Sequence, residues 1–185
     1  MITYKNILEA GEETQEKVRQ WRNGPRVKAG MLDQSEISAE QHRLWLDSLS
    51  KKAGINEVRI AFSDGVPFGV INLREIDRDV SSCDWGFYVG DDAFLGRKLG
   101  RRLIHDAHEW GFMEAKVTKM YSTVRSDNLK VLYDDMQSGN HIEGFLKEHM
   151  RSPSGELIGI YLIAQFRDEW IKNKEKISSW AVIGE

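Results

Sequence analysis

Between Cys83 and Leu103 the spacing of apolar residues changes from two to about 3.6, and that single switch limits the fold more than any other stretch of the chain. Trp85, Phe87 and Val89 alternate with Asp84, Gly86 and Tyr88, as in a half-buried strand. After Gly100, residues Leu103, Ile104, Ala107, Trp110 and Gly111 share one helical face up to about Glu114. The joint holds Gly90, Gly96 and Gly100 together with the cations Arg97, Lys98, Arg101 and Arg102. A strand that runs through a glycine-containing turn into a helix N-terminus points backbone N–H groups, and the positive end of the helix dipole, at whatever lies in front. A pyrophosphate suits such a place. The plainer reading is a solvated, basic helix start in which the glycines serve only the turn.

The remainder of the chain can bury one sizeable core, since 41% of its 185 residues are hydrophobic. No internal repeat, low-complexity tract or Pro/Gly-rich linker interrupts it, so one domain over residues 1–185 is expected. Charged residues make up 30% but the net charge is only −3, which speaks against a polybasic nucleic-acid binder and for a small partner. A lone Cys83 rules out an internal disulfide and a cysteine-rich zinc site. Apolar runs are too short to span a bilayer, and Glu9, Glu12 and Glu13 break any basic-then-apolar leader. A soluble cytoplasmic protein without membrane contact is expected, and a homodimer stays open.

The first helical stretch covers roughly Glu12 to Arg22 and ends at Asn23-Gly24-Pro25. Ser38 with Gln41 has the spacing of a capping box, and the helix it opens aligns His42, Trp45, Leu46 and Leu49. A β-meander follows: Glu57 to Phe62, a turn at Ser63-Asp64-Gly65, Phe68 to Ile76, and Cys83 to Val89. Beyond the helix after Gly100, Lys119 to Val124 reads as a strand, Asn128 to Gln137 as a helix and Leu157 to Gln165 as a last strand. The pattern is a mixed α/β (α+β) one.

Phe94-Leu95-Gly96-Arg97-Lys98-Leu99-Gly100 resembles the acetyl-CoA pyrophosphate loop of the Gcn5-related N-acetyltransferases (GNAT), whose pattern Q/R-x-x-G-x-G/A opens a helix. Gly100 takes the last position, Leu95 stands at the Q/R position and Lys98 at the first glycine. Downstream, Asn128, Lys130, Val131, Gly139, Glu143 and Gly144 keep the spacing of the family's N-x-x-A … G-F-x-x-E-G segment. The resemblance implies a GNAT-like domain with a mostly antiparallel central sheet flanked by helices. It implies direct acetyl transfer from acetyl-CoA to an amine, with backbone N–H groups near Val89 polarising the thioester carbonyl. It places acetyl-CoA on Val89, Leu95, Gly96, Arg97, Lys98, Leu99, Gly100, Arg101 and Asn128. In family members a Tyr or His seven residues after the asparagine gives a proton to the departing thiolate. Here that position is Asp135, while Tyr133 lies two residues earlier, roughly on the other side of the helix. Either the helix is locally re-registered and Tyr133 is the donor, or Asp135 is, or no side chain is.

Arg22-Asn23-Gly24-Pro25, then Met31, Ile37-Ser38 and His42, resemble the opening of the pseudaminic-acid pathway N-acetyltransferases. Those enzymes acetylate the 4-amino group of UDP-4-amino-4,6-dideoxy-N-acetyl-β-L-altrosamine, which implies a UDP-linked amino sugar on Arg22, Met31, His42 and Tyr88. A ribosomal-protein-acetylating branch shares a looser version of this opening. A protein N-terminus or an aminoglycoside therefore remains an alternative acceptor, and Leu95, Lys98 and Asp135 keep open a non-catalytic acyl-CoA-binding module. Arg22 offers a planar fork to a diphosphate and His42 a hydrogen bond, although each also suits a structural place at a helix end or beside Trp45. Candidates for the base that deprotonates the amine are His42, Glu75 and Asp84. No metal is expected: His105, Asp106 and His108 fall on a helix expected to be half solvent-facing.

Overall fold

The computed structural model describes residues 1–181. The chain enters on β1 (Ile2–Asn6), followed by α1 (Glu12–Asn23), α2 (Pro25–Ala29) and α3 (Ala39–Lys51). β2 (Glu57–Ser63), β3 (Val66–Asp77) and β4 (Ser82–Val89) make the meander, and α4 (Leu99–Glu109) runs on into one π-helical turn at Trp110–Glu114. β5 (Lys119–Arg125), α5 (Leu129–Gln137), β6 (His141–Arg151), β7 (Leu157–Phe166) and α6 (Arg167–Trp180) follow. One sheet takes the seven strands in the order β1-β2-β3-β4-β5-β7-β6. Its neighbours are antiparallel except β4 and β5, whose parallel pairing follows from the α4 crossover between them. The expected mixed domain with a mostly antiparallel sheet is what forms.

Local chemistry sets the boundaries. Ser38 and Gln41 form both halves of the capping box that starts α3. Gly24 leaves α1 in an extended conformation and Pro25 occupies the first turn of α2, where its missing N–H costs nothing. One core layer lies between the sheet and α4, with Ile71, Leu73, Trp85, Leu103, Ile104 and Trp110 buried together. A second, of Ile7, Val18, Leu49, Val58, Ile60 and Val70, fixes α1 and α3 to the opposite face. Cys83 sits in the first layer, its thiol pushed up to about 12 by burial. No helix among the described residues is long and apolar enough to cross a membrane.

Four elements escape the sequence reading: β1, α2, β6 and α6. β1 and α2 are five residues each. β6 is exposed along nearly its whole length and shifts register twice, so no alternation survives. α6 buries only Trp170 and Ile177. His105 and His108, expected on a half solvent-facing helix, are instead buried, because α6 covers that side of α4. His105 reaches Ser178 at 3.1 Å, and His108 packs against Trp85 and Trp170. Among the described residues, no three His, Cys, Asp or Glu side chains gather to hold a metal ion.

Candidate active site

β4 and β5 pair only at Ser82↔Lys119, Cys83↔Met120 and Asp84↔Tyr121, and then separate. At the apex of the resulting V the Ser122 hydroxyl donates to the Trp85 carbonyl at 2.9 Å. A cleft of about 1180 Å³ opens there and extends over both faces of the parted strands. Two lobes can be distinguished by what builds them.

The first lobe is walled by the loop leading into α4, by the free half of β5 and by the start of α5. Lys98 caps α4 in the left-handed conformation, φ 58° and ψ 10°, so the chain makes the tight turn without a glycine at that position. A Cβ at Gly100 would meet only the Phe87 ring, at 3.8 Å, so the space in front of the helix start is open. Val89, Leu95, Gly96, Lys98, Leu99, Gly100, Arg101 and Asn128 all line the cleft. Arg97 does not: its guanidinium lies over the Phe94 ring at 5.0 Å, because its side chain leaves the turn on the outer side. Arg101 is held at the rim by Asp134 at 3.3 Å and by the Trp180 ring of α6.

The two residues weighed as thiolate acid part company. Tyr133 is 59% exposed and lies outside the cleft, because α5 is not re-registered and its outer side faces solvent. Asp135 is 2% exposed, lines the cleft, and has a buried Oδ1 with no partner. Burial first, and the neighbouring Asp134 carboxylate second, hold its carboxyl well above the usual range.

The second lobe is built by α1, α3 and the segment between them, with Arg22, Met31, His42 and Tyr88 in its wall. That segment is fixed by Asn23, whose side chain exchanges two 2.8 Å hydrogen bonds with the backbone of Ile37. Arg125, buried on β5, reaches across to the Met31 carbonyl at 3.3 Å. α1 is clamped on β4, since a Cβ at Gly90 would collide with the Trp21 indole. Arg22 donates from Nη2 to the Asp33 carbonyl, while its Nη1 is buried without a partner and its burial lowers the guanidinium's affinity for its proton. His42 donates from Nε2 to the Gln15 carbonyl at 2.9 Å, and burial lowers its pKa against the opposing pull of that bond and of Glu16. Tyr88 is raised by burial, offset in part by Arg22.

Of the three base candidates, only His42 lines the cleft. Glu75 accepts a hydrogen bond from Tyr121 at 3.3 Å outside it, and Asp84, raised by burial, is paired with Arg74 at 2.8 Å. Asn72, Arg74 and Gly86 also line the cleft. Sequence reasoning passed over them, although a lone Asn inside the apolar run Phe68-Gly69-Val70-Ile71-Asn72-Leu73 is a usable signal.

A parallel strand pair that parts over a helix N-terminus, with a loop wall on one side and a side-chain wall on the other, is the arrangement of an acyl-CoA-dependent transferase. A sequence profile of the acetyltransferase (GNAT) domain matches residues 7–132, and the chain belongs to that family as an acetyl-CoA-dependent N-acetyltransferase. The spermidine N-acetyltransferase of Vibrio cholerae, solved with CoA and spermine, superposes with a TM-score of 0.82 at 15% identity, over 92% of this chain and 98% of that one. A GNAT acetyltransferase from Streptococcus pneumoniae superposes at 0.70 with 19% identity, over 90% and 99%. At such identities the likeness is one of fold. No curated protein sequence matches the chain.

Proposed function

We propose that the acceptor is an amino sugar carried on a uridine diphosphate. The observation that carries this reading is Arg22, a guanidinium sunk in the acceptor wall with one nitrogen buried and unpartnered. Its Nη2 is taken by the Asp33 carbonyl, but a buried guanidinium N–H left without an acceptor suits an anion, and a diphosphate supplies one. Arg26 and Arg74 also line the cleft but are paired with Asp92 and Asp84, and Asp33 and Glu36 lie there too, so the choice against a polyamine such as the spermine bound by the Vibrio protein rests on Arg22. In this reading acetyl-CoA lies in the first lobe along Val89, Leu95 to Gly96 and Lys98 to Arg101, with Asn128 at the α5 end. Met31, His42 and Tyr88 shape the sugar pocket, and Asp135 rather than Tyr133 gives its proton to the departing thiolate.

Rates with four acceptors test the assignment: a UDP-4-amino sugar, the same sugar without nucleotide, a short peptide with a free N-terminus, and spermine. The nucleotide sugar should be fastest. Arg22→Ala should raise its KM at least about tenfold, since a charge-assisted hydrogen bond contributes about 1.5–3 kcal/mol, with the KM for acetyl-CoA nearly unchanged. Faster acetylation of the peptide or of spermine than of the nucleotide sugar would overturn it.

A further inference from the structure

We infer that Asn72 is the seat of the acceptor's amino group, a deduction that rests on the acetyl-transfer reading of the cleft but not on which amine is accepted. The first observation is position. Asn72 on β3 pairs with Gly86 on β4, two residues beyond Asp84, the last β4 residue to pair with β5. Asn72, Gly86 and Ser122 all line the cleft at the level where the strands part. An acyl group entering the V therefore arrives beside the Asn72 amide.

The second observation is the amide itself. Its Oδ1 is buried with no partner, and its cross-strand neighbour on β2 is Val58. A buried carbonyl oxygen left unpaired is destabilising, so its place in the cleft wall points to a ligand donor. The third is the room in front of it. A Cβ at Gly86 would lie 3.4 Å from both terminal atoms of Asn72, at the near limit of ordinary contact, so the glycine leaves that approach open where any side chain would press on the amide. The same Cβ would lie 3.7 Å from Arg74 Nη2, whose guanidinium is paired with Asp84.

These features suit a neutral amine. An amide oxygen accepts one N–H and orients the nitrogen, yet it lacks the charge that would hold the amine as unreactive ammonium. The nitrogen lone pair then forms the C–N bond to the thioester carbonyl carbon as the C–S bond breaks. Nitrogen loses one proton to water in the open cleft, and the thiolate takes one from Asp135, so the products are the amide and the free thiol. Asn72 moves no proton and is a positioning residue.

The test uses the full chain with hydroxylamine, an acceptor small enough for every reading of the second lobe, alongside whichever larger amine the wild type acetylates best. Asn72→Ala should lower kcat at least about tenfold with both, while the Kd for acetyl-CoA by calorimetry stays within about twofold. Gly86→Ala should act in the same direction by crowding the amide. Asn72→Asp should displace the acid limb of the kcat/KM profile to higher pH, because a carboxylate there favours ammonium, and should recover toward wild type in alkali. A structural role would lower the rate equally at every pH. A kcat for Asn72→Ala within twofold of wild type, or an unmoved profile for Asn72→Asp, overturns the inference. Turnover of a peptide in place of the nucleotide sugar sinks only the acceptor assignment. Absence of transfer even to hydroxylamine sinks both.

Discussion

The two walls of the cleft are made of different materials. The wall we propose for the cofactor is largely backbone: a left-handed turn at Lys98, an open helix start at Gly100, and two strands parted after three pairs. The acceptor wall is side chains: Arg22 and His42 on two helices, with the connecting segment held by Asn23. A backbone site depends on the path of the chain and tolerates changes of residue, and Lys98 takes the left-handed turn here without a glycine. A side-chain site depends on individual groups, so one substitution there redirects specificity. In the proposed assignment the same fold carries a fixed donor half and an adjustable acceptor half.

The largest effect is expected where the backbone wall is blocked. Gly100→Val should leave the fold intact, since the nearest atom to a new Cβ is 3.8 Å away, but its methyl groups would fill the space in front of the helix start. Acetyl-CoA affinity should fall about a hundredfold, roughly 2.7 kcal/mol, as read by calorimetry, and acceptor KM should move little. An unchanged Kd would show that the pyrophosphate lies elsewhere and would break the comparison.

Asp135 is the side chain on which the proposed cofactor wall would depend. Asp135→Asn should lower kcat about tenfold with KM nearly constant, a modest loss because a thiolate of ordinary pKa near 8.5 leaves tolerably without help. Stability should change in the opposite direction. The native carboxyl holds its proton more tightly than the unfolded chain does, so wild-type stability falls as pH rises from about 4 toward the native value. Asparagine does not titrate. The variant should match wild type in urea unfolding near pH 4 and exceed it by a growing margin up to neutrality. A variant less stable at pH 7 would mean that the aspartate is ionised and paired in the native state.

Legibility followed the same division. The meander, the α4 amphipathic face and the capping box at Ser38 were readable because period and capping chemistry are local. The glycine-containing turn into α4 was readable as a turn for the same reason, and its Gly96, Lys98 and Gly100 line the cleft. α6 was not, since twelve of its fourteen residues stay unburied and its two anchors, Trp170 and Ile177, carry no helical stripe alone. That loss misplaced His105 and His108 on a solvated face. In the site, spacing put Asp135 and Tyr133 two residues apart but could not say which side of α5 meets the cleft. Asn72 was hidden differently: its significance comes from Gly86 on the next strand and from the parting of β4 and β5, and neither relation lies within one sequence window.

The smallest effect tests whether the turn at Lys98 acts through its shape or its charge. A non-glycine residue at φ 58° is strained by about 1 kcal/mol, and Lys98→Gly removes that strain while adding freedom to the unfolded chain. The net gain should be under about 1 kcal/mol, or a rise in Tm of a few degrees at most for a chain of this size. The substitution also deletes an exposed ammonium at the mouth of the donor lobe, worth little in solvent unless it pairs with phosphate. If main-chain N–H groups hold the pyrophosphate, the Kd for acetyl-CoA should move by less than about threefold. Lys98→Ala separates the contributions, since it loses the same charge and keeps the strain. Both variants should bind alike, with only the glycine variant more stable. A tenfold loss of affinity in both would make the Lys98 charge essential and place side chains in the donor half as firmly as in the acceptor half.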